Sequence, residues 1–533
     1  MTTLSRTRWV LAALGFSAAL TLCFPAAAQL DAFHAQFWSQ ASFGFSAPED
    51  YDNFGRALAA GDFDGDGFAD LAIGTPREDV LVAIGYNIVD AGTVTVLYGT
   101  ADGLSTTDAQ LFRQGGGGLD GTAEEGDFWG NALAVGDFDG DGYDDLGVGA
   151  PLHDNGTYAD MGEVEVIYGS AAGLTAEWSG AITDFYFGLG ADLYIGWALT
   201  AGDFDGDGYD DLAAGMPGGV DEGGSGSCVT GAVIVFYGSP LGIFPLSGAE
   251  DYWNPLDDLG QPFRCVQKFG EAIAAGDVDR DGYDDLLVGA PNTAAEIPHL
   301  QLEAGAAHLI HGSETGLTAT GSRTLFGLVE SDHLGAAVAI GNVVRTTPTN
   351  PREVVIGTPG REVTTVDNAG SVLVCQVGDA GFSDHTWWDQ ATAGVDDFAE
   401  TDDYFGSVLA VGNFDGDAQE DLAIGIPLED HLETNAGMVQ VLRGEVDGLT
   451  TVGQQIWHQQ VAGVPDVQES GEQLGRALAV GDFNDDGRPD LAIGIPYEPL
   501  GGYSQGAVIV LYAQRPGLIF ANDFESSTTT RWN

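Results

Sequence analysis

Short apolar segments alternate with turns rich in glycine and aspartate along most of the chain, without the 3.6-residue period of a helix. The clearest early stretch contains four such segments, at residues 56–63 (RALAAGDF), 71–76 (LAIGTP), 92–99 (GTVTVLYG) and 108–114 (DAQLFRQ). Each has the length of a strand, and the wholly apolar second segment is typical of a strand buried on both faces. The pattern therefore predicts a unit of four β-strands.

This four-strand unit occurs seven times, with a period near 70 residues that exceeds the usual spacing of WD40 or kelch repeats. Every copy begins with an aromatic or aliphatic residue followed by glycine, at Phe54-Gly55, Trp129-Gly130, Ile195-Gly196, Phe269-Gly270, Leu334-Gly335, Phe405-Gly406 and Leu474-Gly475. Every copy also contains a Gly-x-Pro triplet, at 74–76, 149–151, 215–217, 289–291, 357–359, 425–427 and 494–496. Seven four-stranded units predict an all-β fold, a seven-bladed β-propeller with antiparallel blades.

The two ends of the repeat array are predicted to pair with each other. No ordinary fourth strand follows the last third strand at 507–512, but the upstream segment 34–42 (HAQFWSQAS) resembles 453–460 (GQQIWHQQ). We therefore expect an N-terminal strand to complete the seventh blade. This pairing would close the ring and remove its exposed strand edges.

An acidic loop of the form D-x-D-x-D-G-x-x-D joins the first strand to the second in six units, at 62–70, 137–145, 203–211, 277–285, 413–421 and 482–490. Without a cation these carboxylates would repel one another. Six to eight oxygen ligands at flexible distances suit Ca²⁺ better than Mg²⁺, and the absence of His and Cys from the loops disfavours zinc and copper. Plain Asp-Gly hairpin turns are the alternative, but six copies in register favour up to six calcium sites.

The predicted metal ligands are the side chains at loop positions one, three, five and nine and the backbone carbonyl at position seven. They are Asp62, Asp64, Asp66, Phe68 and Asp70; Asp137, Asp139, Asp141, Tyr143 and Asp145; Asp203, Asp205, Asp207, Tyr209 and Asp211; Asp277, Asp279, Asp281, Tyr283 and Asp285; Asn413, Asp415, Asp417, Gln419 and Asp421; and Asp482, Asn484, Asp486, Arg488 and Asp490.

The last two loops are the weakest copies, because Asn413 and Asn484 stand where the others have aspartate. The fifth unit carries a degenerate segment, 341–353 (GNVVRTTPTNPRE), and we expect no metal there. The ions are expected to be structural, so that the melting temperature depends on calcium.

The charge of the chain excludes several classes of partner. It has 533 residues, with 81 acidic and 17 basic side chains and a formal net charge of −64. Such a chain repels nucleic acids and anionic membranes. A hydrophobic content of 44% is nevertheless too high for a disordered polyanion, so the acidic residues must cover a folded core.

The N-terminal residues 1–28 resemble a secretory signal peptide, with two arginines, an apolar stretch and an Ala-Ala-Ala cleavage site. An N-terminal membrane anchor is the alternative, but the apolar stretch is short for a span and no later stretch is long enough. We expect a propeller over 29–515, a C-terminal tail over 516–533, and a monomer that is secreted or extracellular, with the periplasm or cell surface as other locations.

Three cysteines remain after the predicted cleavage, which is an odd number for an exported protein. We expect a disulfide between Cys228 and Cys265, both in loop-like sequence. Cys375 lies within a strand-like segment, SVLVCQV, and is expected to be a buried free thiol.

The combination of Phe-Gly pairs, Gly-Ala-Pro triplets and D-x-D-x-D-G-x-x-D loops resembles the FG-GAP repeat of the integrin α-subunit N-terminal propeller and of many bacterial secreted proteins. The resemblance covers about residues 31–515 and implies calcium loops on one face of a propeller. It also implies a role in extracellular recognition or cell adhesion, with a protein or glycan as partner. No stalk domain or later transmembrane helix is evident, which favours a soluble integrin-like module over a receptor subunit.

Motifs for catalysis are poor, and we expect no enzyme. A G-x-S-x-G match at 502–506 lacks the strand-to-helix elbow, and a G-x-G-x-x-G match at 116–121 lacks a βαβ context. A polysaccharide-binding or carbohydrate-active propeller and a calcium-stabilised scaffold remain alternatives. Aromatic residues near the loops are candidate anchors for a partner, with local packing as the alternative: Tyr86, Tyr158, Tyr252, Trp253 and Tyr503.

Overall fold

The computed structural model describes residues 29–44, 48–83, 86–156, 158–182, 191–218, 230–243, 250–255, 268–296, 300–344, 351–378 and 381–513. The predicted signal peptide, the C-terminal tail, Cys228 and Cys265 lie outside these residues. The cleavage site, the disulfide and the tail therefore stay predictions. Cys375 is a buried free thiol, as expected.

The described residues form seven four-stranded antiparallel sheets, one for each repeat, and we number these blades in chain order. Blades one to six comprise Ala57–Gly61, Asp70–Thr75, Thr93–Tyr98 and Ser105–Phe112; Ala132–Gly136, Asp145–Ala150, Glu163–Tyr168 and Thr175–Ile182; Leu199–Gly202, Asp211–Met216, Ala232–Phe236 and Glu250–Trp253; Ala272–Gly276, Asp285–Ala290, Ala306–His311 and Thr318–Phe326; Ala337–Gly341, Glu353–Thr358, Ser371–Gly378 and Gly381–Trp388; and Val408–Gly412, Asp421–Ile426, Met438–Arg443 and Thr450–Trp457. Blade seven comprises Ala477–Gly481, Asp490–Ile495, Ala507–Ala513 and the N-terminal strand Leu30–Trp38.

The predicted closure of the ring is confirmed. Leu30–Trp38 pairs antiparallel with Ala507–Ala513, with Trp38 opposite Val508 and Leu30 opposite Ala513. The chain thus joins its two ends through a single sheet. A 3₁₀ turn at Gln40–Ser42 then leads towards blade one.

The first strand of every blade contacts the first strands of both neighbours, so these seven strands surround the axis of the ring. They are built from small residues such as the ALAAG of Ala57–Gly61, which permits this close approach. The second strand is buried along its whole length in every blade, as its apolar sequence predicts. The innermost part of the molecule is therefore a packed wall of small and branched side chains.

The hydrophobic core lies between the blades. Each of the seven core clusters combines residues of two adjacent blades, and together they cover every boundary of the ring. The aromatic residue of the opening Phe-Gly pair is fully buried in these clusters, as Phe54, Trp129 and Phe269 illustrate. A blade consequently buries its apolar faces only in the presence of its neighbours.

The two glycines of the repeat motif meet at each boundary. A Cβ added to Gly74 of blade one would lie 2.1 Å from the carbonyl oxygen of Gly130 in blade two. Gly130 has a φ of +87°, which favours glycine. The Phe-Gly and Gly-x-Pro motifs recur together because they form the two sides of one contact.

Three two-stranded ribbons were not predicted: Val80–Ala83 with Tyr86–Ile88, Ala295–Glu296 with Leu300–Gln301, and Pro499–Leu500 with Tyr503–Ser504. They project between the second and third strands of blades one, four and seven. The fourth strand of blade one also begins earlier than expected, at Ser105.

Candidate metal centres

The six acidic loops lie at one end of the ring, because each follows the innermost strand of its blade and leads into the second strand. Each loop takes the number of its blade, so that loops one, two, three, four, six and seven are residues 62–70, 137–145, 203–211, 277–285, 413–421 and 482–490. Loop position two is anchored in the core, and Phe63, Phe138 and Phe204 are fully buried there. Loop position nine is the first residue of the second strand. The loop is thus fixed at both ends while its middle faces solvent.

In loop one the backbone wraps around its own carboxylates. The Asp66 N–H donates to Asp62 Oδ1 (3.0 Å) and to Asp64 Oδ1 (3.1 Å), and the Gly67 N–H donates to Asp62 Oδ2 (3.0 Å). The Phe68 N–H donates to Asp66 Oδ1 (3.0 Å). These bonds orient the carboxylates before any ion binds.

Loops two and three repeat this arrangement, and loop seven repeats its first three hydrogen bonds. In loop seven the Asp486 N–H donates to Asp482 Oδ1 and to the amide oxygen of Asn484, both at 3.0 Å. The Gly487 N–H donates to Asp482 Oδ2 (2.7 Å). Asn484 therefore occupies the same place as the aspartates of the other loops, although it contributes no charge.

The carboxylate at position nine is buried and connects the loop to the third strand. Asp70 accepts hydrogen bonds from the N–H of Phe63 (2.9 Å) and of Gly99 (2.8 Å). Burial raises the pKa of Asp70 to about 8, and the charge of Asp64 adds to the rise. The equivalent carboxylate in other loops behaves alike, since burial raises the pKa of Asp145, Asp211 and Asp490 to about 8.

The predicted ligand side chains converge in loops one to three. In loop one a ligand atom of each of Asp62, Asp64 and Asp66 lies within 4.8 Å of the others. The matching groups are Asp137 with Asp139 and Asp145, and Asp203 with Asp205 and Asp211. Closely spaced carboxylates form an all-oxygen donor set, which fits a hard divalent cation.

Loop four receives a histidine from outside its own sequence. His311, the last residue of the third strand in blade four, places Nδ1 3.1 Å from Asp285 Oδ1 and 3.5 Å from Asp279 Oδ2. The loop sequences themselves contain no histidine, as the sequence analysis stated, but the fold brings this one in from the third strand. Loop four therefore offers a nitrogen as well as oxygen donors.

Loop six receives a positive charge from Arg443, the last residue of the third strand of its blade. The Arg443 guanidinium donates from Nε to Asp415 Oδ2 (2.6 Å), also contacts that oxygen through Nη2, and lies 3.8 Å from Asp417 Oδ2. The Asp415 side chain is only 1% exposed. Arg443 thus engages the carboxylate at position three, one of the predicted ligands.

One position of the repeat, at or next to the end of the third strand, distinguishes loops four and six from the other four loops. Loops one, two, three and seven have tyrosine there, and its hydroxyl accepts a backbone N–H of the next blade, as Tyr98 does from Leu174 (3.1 Å). In loops four and six this tyrosine is replaced by His311 and Arg443. Alignment of the third strands would have revealed this difference before the structure.

The acid at loop position eight was overlooked by the sequence analysis. The Asp144 carboxylate of loop two accepts the Asp62 N–H of loop one (2.8 Å), and the Asp144 N–H donates back to the Asp62 carbonyl (3.1 Å). The same clasp joins Asp210 to Asp137 and Asp284 to Asp203. The sequence feature that could have indicated this contact is the acidic residue at position eight of loops two, three, four and six.

The side chain at position seven also joins neighbouring loops. The Tyr143 ring of loop two packs on Gly65 of loop one, where an added Cβ would lie 2.6 Å from the ring. Tyr209 and Tyr283 pack in the same way on the glycines of loops two and three. The predicted role of the position-seven carbonyls as ligands stays a prediction, whereas their side chains form inter-blade contacts.

A second group of acids is buried at the opposite end of the ring, next to the Gly-x-Pro triplets. The Gln390 side chain donates to Glu429 Oε2 (2.6 Å), and Gln459 donates to Glu498 Oε2 (2.5 Å). Burial and the neighbouring charge of Asp403 raise the pKa of Glu429 to about 9. These acids have a structural role that sequence analysis missed, although Glu follows two residues after the proline in three repeats.

A cavity of about 320 Å³ lies at this same end, between blades three and four. Its lining includes Tyr194, Trp197, Lys268, Glu271 and Asn292. The Lys268 ammonium lies 2.8 Å from Glu271 Oε2, so the cavity contains a balanced ion pair.

None of the predicted aromatic anchors lines this cavity. Tyr86 and Tyr503 are 63% and 50% exposed on the ribbons, whereas Trp253 is buried in a fourth strand. Tyr252 packs against the core between blades two and three. For Trp253 and Tyr252, local packing is therefore the role that the structure shows.

Comparison with known proteins identifies the repeat. Six segments match the FG-GAP repeat model, over residues 54–97, 129–161, 195–236, 269–308, 405–442 and 474–511. They correspond to blades one to four, six and seven. The chain thus carries six FG-GAP repeats on a seven-bladed propeller, as its motifs predicted. Blade five has the same four-stranded form, although it lies outside the matched segments.

The chain is similar to integrin α-subunits over part of its length. Integrin alpha-PS2 of Drosophila melanogaster is 35% identical over 245 residues, which are 44% of this chain and 15% of the relative. Integrin alpha-IIb of Homo sapiens is 31% identical over 255 residues, 47% of this chain and 21% of the relative. Phosphatidylinositol-glycan-specific phospholipase D of Rattus norvegicus is 37% identical over 207 residues, 38% of this chain and 22% of the relative. The chain therefore matches less than a quarter of each of these relatives.

Among the described residues, no helix has the length and hydrophobicity needed to cross a membrane.

Proposed function

We propose that loops one, two, three, four and seven bind calcium and that these ions stabilise an extracellular recognition module. The observation that supports this most directly is the set of carboxylates that backbone N–H groups orient towards one another, as in loop one. In the described part of the chain, no salt bridge joins a basic side chain to the acids of loops one, two or three. A bound cation would supply the missing positive charge.

Loop six is the exception within this proposal. Because Arg443 already engages Asp415, a calcium ion there would have to displace a guanidinium from a buried carboxylate. The loop also has Asn413 at position one and Ala418 in place of glycine. We therefore propose five calcium sites, whereas in loop six the guanidinium of Arg443 takes the place of an ion.

The ions would act as structural links because the loops contact one another around the ring. The clasp at Asp144 and the packing of Tyr143 on Gly65 connect loop two directly to loop one. An ion that orders one loop would therefore also support the adjacent boundary. Binding to the folded state alone raises its stability by mass action.

The recognition role is proposed from the similarity to integrin α-subunits. Because the acidic loops are the proposed metal sites, we favour the opposite end of the ring as the contact surface for a protein or glycan. The relatives named as phospholipase D match over a minor part of their length, and we do not extend an enzymatic activity to this chain. Its predicted signal peptide supports an extracellular or periplasmic location.

Polysaccharide binding is a second candidate, favoured by the cavity between blades three and four. Tyr194 and Trp197 offer aromatic faces, and Asn292, Lys268 and Glu271 offer hydrogen-bonding groups. Such a mixture suits a sugar ring. Loss of glycan binding in Trp197→Ala, with unchanged calcium dependence, would support this candidate; no binding on a glycan array would contradict it.

Thermal unfolding in calcium and in chelator tests the calcium proposal. Asp64→Asn should reduce the rise of melting temperature in calcium, because it removes one charged ligand from loop one. Asp102→Asn is the matched control, since it makes the same charge change at an exposed turn. Equal melting temperatures in calcium and in chelator would contradict the proposal.

A further inference from the structure

Two arginines stand side by side where the ring closes. Arg56 and Arg476 immediately precede the innermost strands of blades one and seven, Ala57–Gly61 and Ala477–Gly481. These strands contact each other, so both arginines lie at the end of the ring opposite the acidic loops. The same position in the other blades is occupied by Asn131, Trp197, Glu271, Ala336 and Ser407.

These arginines have no counter-charge in the described part of the chain. The chain has 81 acidic side chains against 17 basic ones, and Arg77, Arg361 and Arg443 each have a carboxylate partner. No such ion pair forms at Arg56 or Arg476 among the described residues, and their side chains make no hydrogen bond there. Two neighbouring arginines without a carboxylate partner are unexpected in so acidic a protein.

The two guanidinium groups are close enough to influence each other. Partial burial lowers the pKa of Arg56 to about 10, and the charge of Arg476 acts in the same direction. The hydroxyl-bearing ring of Tyr497, which follows the last Gly-x-Pro triplet, lies near Arg56. Bringing two like charges together away from water costs free energy, which a bound anion would offset.

We propose that Arg56 and Arg476 form a binding site for an oxyanion group, such as a carboxylate, sulfate or phosphate of a ligand. Guanidinium groups donate paired hydrogen bonds to the oxygens of such groups. The phenol of Tyr497 is a third donor at the same place. The site lies on the surface that we favour for recognition, but it does not depend on calcium binding, because none of its residues belongs to an acidic loop.

Ligand-induced shifts of the melting temperature test this site in the full mature chain with calcium present. The probes are sodium sulfate, sodium acetate and methyl phosphate, each compared with sodium chloride at equal ionic strength. At least one oxyanion should raise the melting temperature beyond the effect of chloride, and the probe that acts at the lowest concentration identifies the class of anion. Arg56→Gln and Arg476→Gln should each weaken its binding by about tenfold or more, as expected for loss of a charge-assisted hydrogen bond.

Arg113→Gln is the matched control, because it removes one positive charge from the end of an outer strand. It should leave the anion response unchanged. Without added oxyanion, Arg56→Gln should unfold at the same or a higher temperature than the parent, since it relieves the repulsion from Arg476. The proposal is overturned if all anions act like chloride, if the response persists in both arginine variants, or if the control loses it equally.

Discussion

Single side chains decide how each acidic loop is neutralised. Where the third strand ends in tyrosine, as at Tyr98, the hydroxyl accepts a hydrogen bond from the next blade, and the loop carboxylates keep the charge that we propose calcium neutralises. Where it ends in Arg443, the guanidinium reaches Asp415 instead. A substitution outside the D-x-D-x-D-G-x-x-D motif can therefore change whether that motif needs a metal.

Replacement of Arg443 should reveal this internal charge. Arg443→Gln leaves the buried Asp415 carboxylate without its partner, and breaking a buried pair in this way costs about 3–5 kcal/mol. We expect that loss of stability in denaturant titrations with chelator present. The double variant Arg443→Gln/Asp415→Asn should recover part of it, and an unchanged midpoint in Arg443→Gln would contradict the assignment.

The buried acids opposite the loops should make stability depend on pH. Burial, together with Asp403, raises the pKa of Glu429 to about 9 from an ordinary value near 4.5. The folded state therefore keeps a proton that the unfolded state releases above about pH 4.5. The contribution of this group to stability is greatest below that pH and decreases up to about pH 9.

Glu429→Gln removes this titration and keeps the shape of the protonated acid. The stability of the variant relative to the parent should rise between pH 5 and pH 9, by on the order of 1 kcal/mol per pH unit at most. Denaturation with calcium held constant measures it. Glu330→Gln is the control at an exposed position; a relative stability that does not change with pH would refute the shifted pKa.

At the scale of elements, the boundaries between blades carry the packing and the polar contacts together. Asp144→Ala should lower stability by about 1–2 kcal/mol, because the Asp62 N–H loses its acceptor. Since these hydrogen bonds join two loops of the same chain and involve no metal, the loss of stability should appear in calcium and in chelator alike. Chemical denaturation measures the loss of stability, with Asp102→Ala as the control variant. A loss of stability seen only in calcium would instead mean that Asp144 binds the metal.

The sequence predicted the elements that repetition makes visible. The buried second strands, such as Asp70–Thr75 with its apolar segment, and the pairing of Leu30–Trp38 with the last blade followed from residue pattern alone. The ribbon at Val80–Ala83 was missed because it is short and occurs in only some units. His311 and the clasp at Asp144 were missed because they depend on which strands and loops become neighbours, which a motif read along one unit does not show.

For the whole molecule, closure of the ring by the N-terminal strand should be essential for stability. A chain that begins at residue 39 lacks Leu30–Trp38 and exposes the edge of Ala507–Ala513. We expect a lower melting temperature and concentration-dependent association, because an open strand edge can pair with another chain. Light scattering and thermal unfolding beside the chain that begins at residue 29 measure both. An equally stable monomer would contradict the role of the closing strand.

The two ends of the ring have different chemistry in this account. One end contains the acidic loops, which are the proposed calcium sites. The other end contains the cavity near Trp197 and the arginines Arg56 and Arg476. This separation would let metal binding stabilise the ring without occupying the surface proposed for a partner.

The most direct test of the account is the location of calcium in crystals of the chain that begins at residue 29, by anomalous scattering at a wavelength where calcium contributes. The account predicts five peaks, within loops 62–70, 137–145, 203–211, 277–285 and 482–490, and none beside Arg443 in loop six. The absence of peaks from those five loops at millimolar calcium would contradict its central claim.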